Sequence, residues 1–229
     1  MTLSALIVGV GDGLSASLAR LLASEGYLLN LVARDTDKLE SLRAETGATL
    51  FRAEATDVQA IRSIVDSIEG RLDVAIYNPS ARTRGPLVDL DPEDVKRALD
   101  VTAYGSFVTA QAAVRKMAGQ EMRDGCRGTV LFTGASAGVK GFPQSAPFAM
   151  GKFAQRGLAQ SMARELHPQG IHVVWVNIDG AIRNPARPAT SPDAMLSPDA
   201  IARNYLALMR QDRSTWSSEL ELRPWVEQF

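Results

Sequence analysis

The stretch SAPFAMGK, Ser145 to Lys152, holds the pair of residues around which the chemistry of this chain turns. Its small residues open a helix-like run, and positions four apart on a helix share a face, so Phe148 and Lys152 point at a common place. Lys152 can carry charge and move protons; Phe148 has no hydroxyl and can do neither. A second signal is GVGDGLS, Gly9 to Ser15. Glycine permits positive φ and lets backbone approach a ligand, and a helix opening at Leu14 offers free N–H groups to a pyrophosphate. A strand before the turn and a helix after it are what such a motif requires, and both are in the pattern. The two readings of the turn are a dinucleotide site and a tight turn with no ligand.

The elements that must position these residues alternate along the chain. Leu3 to Gly9, Tyr27 to Arg34, Ala48 to Ala53, Asp73 to Asn78, Gly128 to Gly134 and Ile171 to Ile178 read as short apolar strands. Between them, Leu14 to Glu25, Asp35 to Glu45 and Asp57 to Glu69 read as helices. A longer helix starts at Asp91-Pro92 and runs towards Met117, and another carries Phe148 and Lys152. Near-continuous apolar strands, each followed by a helix, predict an α/β fold: one doubly wound parallel sheet with helices on both faces, in a single domain over 1–229. The segment from Arg183 to Pro198 breaks the rhythm with Pro185, Pro188, Pro192 and Pro198. It is either a substrate loop, in a region around 183–210 near the carboxyl edge of the sheet, or a solvated connector.

Composition narrows the partners. The chain has 229 residues, 45% of them hydrophobic, a formal net charge of -1 and one cysteine, Cys126. An internal disulfide is therefore excluded. The absence of a long apolar run argues against a membrane span, and the absence of a basic block argues against nucleic acid. With no basic leader at Met1 to Val10, the expected location is the cytoplasm, and the expected partner is a small molecule or another copy of the chain. No metal site is read.

Taken together, the Gly9-x-x-x-Gly13 turn, YNPS at Tyr77 to Ser80, NIDGAI at Asn177 to Ile182 and the terminal ELRPWVEQF resemble the short-chain dehydrogenase/reductase family over nearly the whole chain. The resemblance implies a Rossmann-like fold and a nicotinamide dinucleotide held by Gly9, Gly11, Asp12, Gly13, Leu14, Arg34, Glu54, Ala55, Asn78, Lys152, Gly180 and Ile182. Ser15 stands where the family usually has a third glycine, and Asp179 replaces the proline of its Pro-Gly turn. At the end of the second strand, Ala33 replaces the acid that would bind the adenosine ribose. Arg34 follows it and suits a 2′-phosphate, so NADP(H) is expected over NAD(H). Asp12, where NADP-using relatives often carry a basic residue, works against that phosphate.

The same resemblance implies a catalytic tetrad, of which Lys152 survives. Phe148 stands in the place of the proton-donating tyrosine, Ala135, with Ser136 beside it, in that of the serine, and Thr102 in that of the asparagine. The chain is thus similar to a divergent branch with Phe-x-x-x-Lys. The expected activity is an oxidoreductase acting on a small carbonyl or activated alkene. Its proton would come from Lys152, Ser136, a water or the substrate itself. The alternative is a non-catalytic NADP(H)-binding sensor or assembly protein. Ser145 occupies the tyrosine place of the enoyl-reductase arrangement. Tyr77 and Tyr104 are weak substitutes, Tyr205 could reach down from a lid, and His167 and His172 read as surface or strand-start residues. Family members commonly pair through the helices placed here at Asp91 to Met117 and Pro147 to His167, so a homodimer or homotetramer is expected.

Overall fold

A computed structural model describes residues 3–186 and 193–227. Seven strands form one all-parallel sheet in the order β3-β2-β1-β4-β5-β6-β7. They are β1 (Leu3–Val8), β2 (Tyr27–Ala33), β3 (Thr49–Arg52), β4 (Val74–Tyr77), β5 (Gly128–Thr133), β6 (Ile171–Ile178) and β7 (Glu219–Leu222). The expected α/β architecture is the observed one. Successive side chains of a strand face opposite layers. In β1, Ala5 and Ile7 join one core with Leu18 and Leu22 of α1 (Leu14–Ser24) and Ile201 and Tyr205 of α7 (Pro198–Met209). Leu6 and Val8 join the other, with Ile61 of α3 (Val58–Ser67), Ala113 of α5 (Gly105–Ala118) and Ala163 of α6 (Ala146–Leu166). Burying each leucine or isoleucine of these layers contributes about 1.5–3 kcal/mol, which is why β1, β4, β5 and β6 are apolar along nearly their whole length.

Local signals place the helices. Asp57 Oδ1 accepts from Ala60 N at 2.9 Å to cap α3. Asp91 Oδ1 accepts from Glu93 N at 2.8 Å to cap α4 (Pro92–Leu99), with Pro92 at the first turn where its missing N–H leaves nothing unsatisfied. Three features depart from the sequence reading. The helix expected over 35–45 begins as a 3-10 turn at Asp37–Leu39 before α2 (Glu40–Thr46). The long helix from Asp91 is split by a π turn, Asp100–Tyr104, between α4 and α5. A seventh strand, β7, extends the sheet beyond β6. Its ELEL pattern alternates acids with leucines on a half-buried edge, and Glu219 is held by Arg156 of α6 at 2.8 and 2.9 Å. Of the four prolines of the expected loop, Pro188 and Pro192 lie outside the described residues.

Candidate active site

With every strand parallel, β1, β4, β5 and β6 deliver their carboxyl ends to one edge of the sheet, and the strand order reverses between β1 and β4, where open α/β sheets bind ligands. The glycine turn lies there. Gly9 has φ +83°, and a Cβ on it would fall 2.5 Å from Pro79 Cγ, so only glycine joins β1 to this turn beside the chain leaving β4. Ser15, the departure from a third glycine, braces the turn: its hydroxyl donates to Gly9 O at 3.0 Å and accepts from Asn78 Nδ2 at 2.5 Å. The turn is thereby tied to the end of β4. Among the described residues, no side chain caps the N-terminus of α1, and its first turn carries no acid. Its leading N–H groups are left for a ligand.

A cleft of about 1200 Å³ opens beside this turn, lined from the ends of β4, β5 and β6 and from α6. On its walls lie Asn78, Ala135, Ser136, Phe148, Lys152, Gly180, Ile182 and Asn184. Phe148 and Lys152 face it together as expected, and both are buried. Lys152 Nζ donates to Thr133 O at 2.6 Å and to Gln155 Oε1 at 3.2 Å. An ammonium has three donors, so one N–H remains for the cleft. Burial, reinforced by the nearby Arg82 guanidinium, lowers the Lys152 pKa to about 7. The guanidinium carbon of Arg82 stands 4.1 Å from the centroid of the Phe148 ring.

Thr102 lies in the π turn and is fully buried; its hydroxyl accepts from Ala81 N at 3.2 Å. Gln155 Nε2 donates to Thr102 O at 3.4 Å, so Gln155 bridges Lys152 and the π turn. Gly151 makes that approach possible, because a Cβ there would lie 2.9 Å from Thr102 Cβ. On the other side of Gly134 and Gly138, the indole of Trp175 packs directly against their α-carbons and closes the back of the cleft.

Most of the expected residues converge. Gly9, Gly11, Asp12 and Gly13 form the turn, with Gly11 and Asp12 exposed, and Asn78, Gly180, Ile182, Lys152 and Ser136 line the cleft. Leu14 has its side chain in the core and offers only its backbone N–H. Arg34, Glu54 and Ala55 follow β2 and β3 on the same edge, outside the cleft, with Arg34 and Glu54 exposed. The structure corrects the lid reading of Tyr205: it is fully buried in α7, its hydroxyl paired with Thr133 Oγ1 at 2.8 Å, and burial raises its pKa. Tyr77 is buried and donates to Val101 O, Tyr104 is exposed on the π turn, and among the described residues no tyrosine lines the cleft. His172 stands at the start of β6, the strand-start alternative of its expectation rather than the surface one; it is buried and stacks on Trp216 at 4.7 Å at the opposite end of the strands.

Two residues escaped sequence reasoning. Gln155 follows Lys152 by three positions on the same helix face, a spacing that was legible. Asn184 was not: its side chain packs 3.8 Å from where a Gly13 Cβ would stand, and its buried Oδ1 finds no partner among the described residues.

This geometry has relatives. The sequence profile of the family described as short chain dehydrogenase matches residues 4–190. A sorbitol-6-phosphate 2-dehydrogenase of Escherichia coli (strain K12) is 28% identical over 216 residues, 88% of this chain and 82% of the relative. A short-chain dehydrogenase from Rhodopseudomonas palustris superposes with a TM-score of 0.83 at 29% identity, covering 97% of this chain and 98% of the other. An alcohol dehydrogenase from the archaeon Thermococcus sibiricus, complexed with 5-hydroxy-NADP, shares the fold at a TM-score of 0.84 and 23% identity, covering 100% and 99%. With four fifths of its length matched by the profile and its strand order, glycine turn and carboxyl-edge cleft all in one frame, the chain belongs to the short-chain dehydrogenase family of oxidoreductases.

Proposed function

We propose that this protein is an NADP(H)-dependent oxidoreductase that reduces a small carbonyl or activated alkene, with Lys152 giving the proton that a tyrosine gives in its family. The observation that carries the reading is the floor of the cleft. Lys152 is buried there with one N–H to spare and a pKa near 7, next to a Phe148 ring that has no proton to give.

The residues present fit a dinucleotide. The uncapped N-terminus of α1 suits a pyrophosphate, the orphaned Asn184 Oδ1 beside Gly13 suits a donor from the ligand, and Arg34 suits a 2′-phosphate at the end of β2. The bound Thermococcus sibiricus relative carries such a cofactor on the same fold. When present, a reduced nicotinamide supplies the hydride. The chain's own part is to hold the substrate oxygen near Lys152 and to give it a proton, leaving a neutral amine that solvent reprotonates. Thr133 O and Gln155 Oε1 fix the amine for that transfer. Ser136, on the cleft wall, takes the place of the orienting hydroxyl that Ala135 lacks.

The test is a titration with NADPH and then NADH, followed by a pH profile of NADPH oxidation. NADPH is expected to bind more tightly, and kcat to fall as pH rises through about 7 and the ammonium is lost. A profile flat to pH 9 would remove Lys152 as the donor. The second reading is a non-catalytic NADP(H)-binding protein, favoured by the replacement of hydroxyls at both Phe148 and Ala135. Tight NADPH binding without turnover on a broad panel of carbonyls and enones would select it. We also propose self-association through α5 and α6, on which Phe107, Met150 and Phe153 are exposed.

A further inference from the structure

Gln155 is fully buried on α6, and a buried carboxamide is costly unless both of its ends are bonded. Here both are. Oε1 accepts from Lys152 Nζ at 3.2 Å, and Nε2 donates to Thr102 O, on the π turn, at 3.4 Å. An ammonium can only donate and a backbone carbonyl can only accept, so this is the one orientation of the amide that satisfies both neighbours. Lys152 and Gln155 lie three positions apart on one helix face, and the π turn packs across it through Thr102 and Gly151.

The second acceptor of Lys152 Nζ is Thr133 O, at 2.6 Å. Neither this carbonyl nor the Gln155 amide oxygen holds a proton that it could pass on. Behind them, Thr102 meets the amide through its backbone while its hydroxyl accepts from Ala81 N, and the Tyr205 hydroxyl is paired with Thr133 Oγ1. The charged groups around the amine stand on the cleft walls. They are Arg82, whose repulsion lowers the Lys152 pKa, with Arg84, Lys140, Glu227 and Asp179, the last engaged by Arg223 at 3.2 Å. Burial and Arg82 favour the neutral amine, whereas an oxygen accepting from the ammonium favours the charged one. Gln155 therefore acts on the side that keeps a proton available.

We propose that Gln155 is the positioning residue of the proton donor: it holds the Lys152 amine from the inside, so that the N–H left over, and the lone pair that follows its loss, both face the cleft. This rests on the reading of Lys152 as the donor, and it adds what aims that donor. The N–H bond facing the substrate breaks, and its proton goes to the substrate atom that the hydride has left negative. The two N–H groups held by Thr133 O and Gln155 Oε1 stay in place, so the amine regains its proton from water on the cleft side once the product has gone. A residue that only filled space between α6 and the π turn would need neither end of the amide.

The experiment first reads the Lys152 midpoint without turnover, by competitive acetylation of the full chain with acetic anhydride between about pH 5 and pH 10. The peptide carrying Lys152 is quantified by mass spectrometry, and wild type is expected to titrate at about 7. Gln155→Met matches the side chain in length and removes the acceptor, and Gln155→Asn keeps an amide that is one carbon too short. Each is expected to lower the midpoint by about one pH unit or more. Gln155→Glu restores the acceptor and should bring the midpoint back to the wild-type value or above it. In NADPH oxidation, the alkaline limb of kcat should move with the midpoint in each variant at unchanged KM for NADPH. At about pH 5, where the amine stays charged, Gln155→Met should still turn over several-fold more slowly, because the ammonium is no longer aimed. A midpoint unchanged in both Gln155→Met and Gln155→Asn, or Gln155→Glu behaving like Gln155→Met, would overturn the proposal. Midpoints that move as expected while kcat does not follow them would instead sink the donor reading and leave the hold of Gln155 on the amine standing.

Discussion

At the end of β1 the chain makes its turn out of backbone: Gly9 at φ +83°, the open N-terminus of α1, and Ser15 and Asn78 bracing the loop from behind. At the end of β5, two strands away, the arrangement consists of side chains: Lys152 on Thr133 O and Gln155, Phe148 under Arg82, Ala135 with nothing to donate. The difference shows what each region can tolerate. A backbone cradle survives a change of residue so long as the new side chain can be accommodated, as Ser15 is. Proton transfer depends on the identity of a few atoms, and changing one residue changes the chemistry that is available.

The sharpest way to break the comparison is to rebuild the side-chain half alone. Phe148→Tyr with Ala135→Ser should raise the rate of carbonyl reduction by about 10²–10⁴ in steady-state assays while leaving NADPH affinity unaltered; no gain would mean that the scaffold around the cleft has diverged beyond those two positions. Lys152 gives the next largest effect. Its folded-state pKa, near 7, lies below the ordinary lysine value of 10.5, so between those pH values the unfolded chain binds the extra proton. Wild-type stability, measured against Lys152→Met by urea unfolding, should therefore rise with pH across that window, by at most about 5 kcal/mol, with the penalty fully present below pH 7. In the backbone half, Gly9→Ala should cost about 3 kcal/mol through left-handed strain and the collision with Pro79, and should weaken NADPH binding in the same titration. The smallest effect belongs to Arg34→Glu, expected to shift the NADPH-over-NADH preference by about tenfold at unchanged stability.

The two halves are also unequally legible. Six strands, the glycine turn and the caps at Asp57 and Asp91 can be read because each rests on a local rule: apolar runs, glycine freedom, a side chain reaching its own next turn. Strand β7 escapes because ELEL carries a short alternation whose partners, Arg156 and the edge of β6, lie more than forty residues away. The π turn at Asp100–Tyr104 escapes for a similar reason, since Thr102 within it packs against Gly151, nearly fifty positions later in the chain. Tyr205 reads as a lid residue because it follows the proline-rich segment, yet Thr133 and the core around β6 hold it. At the cleft, the positions of Phe148 and Lys152 follow from helical spacing. The cation over the ring comes from a loop more than sixty positions earlier in the chain, where nothing local announces it.

The packing of Trp175 against Gly134 and Gly138 equips the molecule with its own optical probe. Of its three indoles, Trp225 stands in solvent and Trp216 is stacked on His172 at the far end, whereas Trp175 is sealed behind the cleft wall with its Nε1–H unpartnered among the described residues. Emission from Trp175 should be blue and insensitive to external iodide, and it is the signal that should respond when the cleft fills. Replacing the other two tryptophans with phenylalanine would leave a single-wavelength readout of occupancy that needs neither label nor turnover.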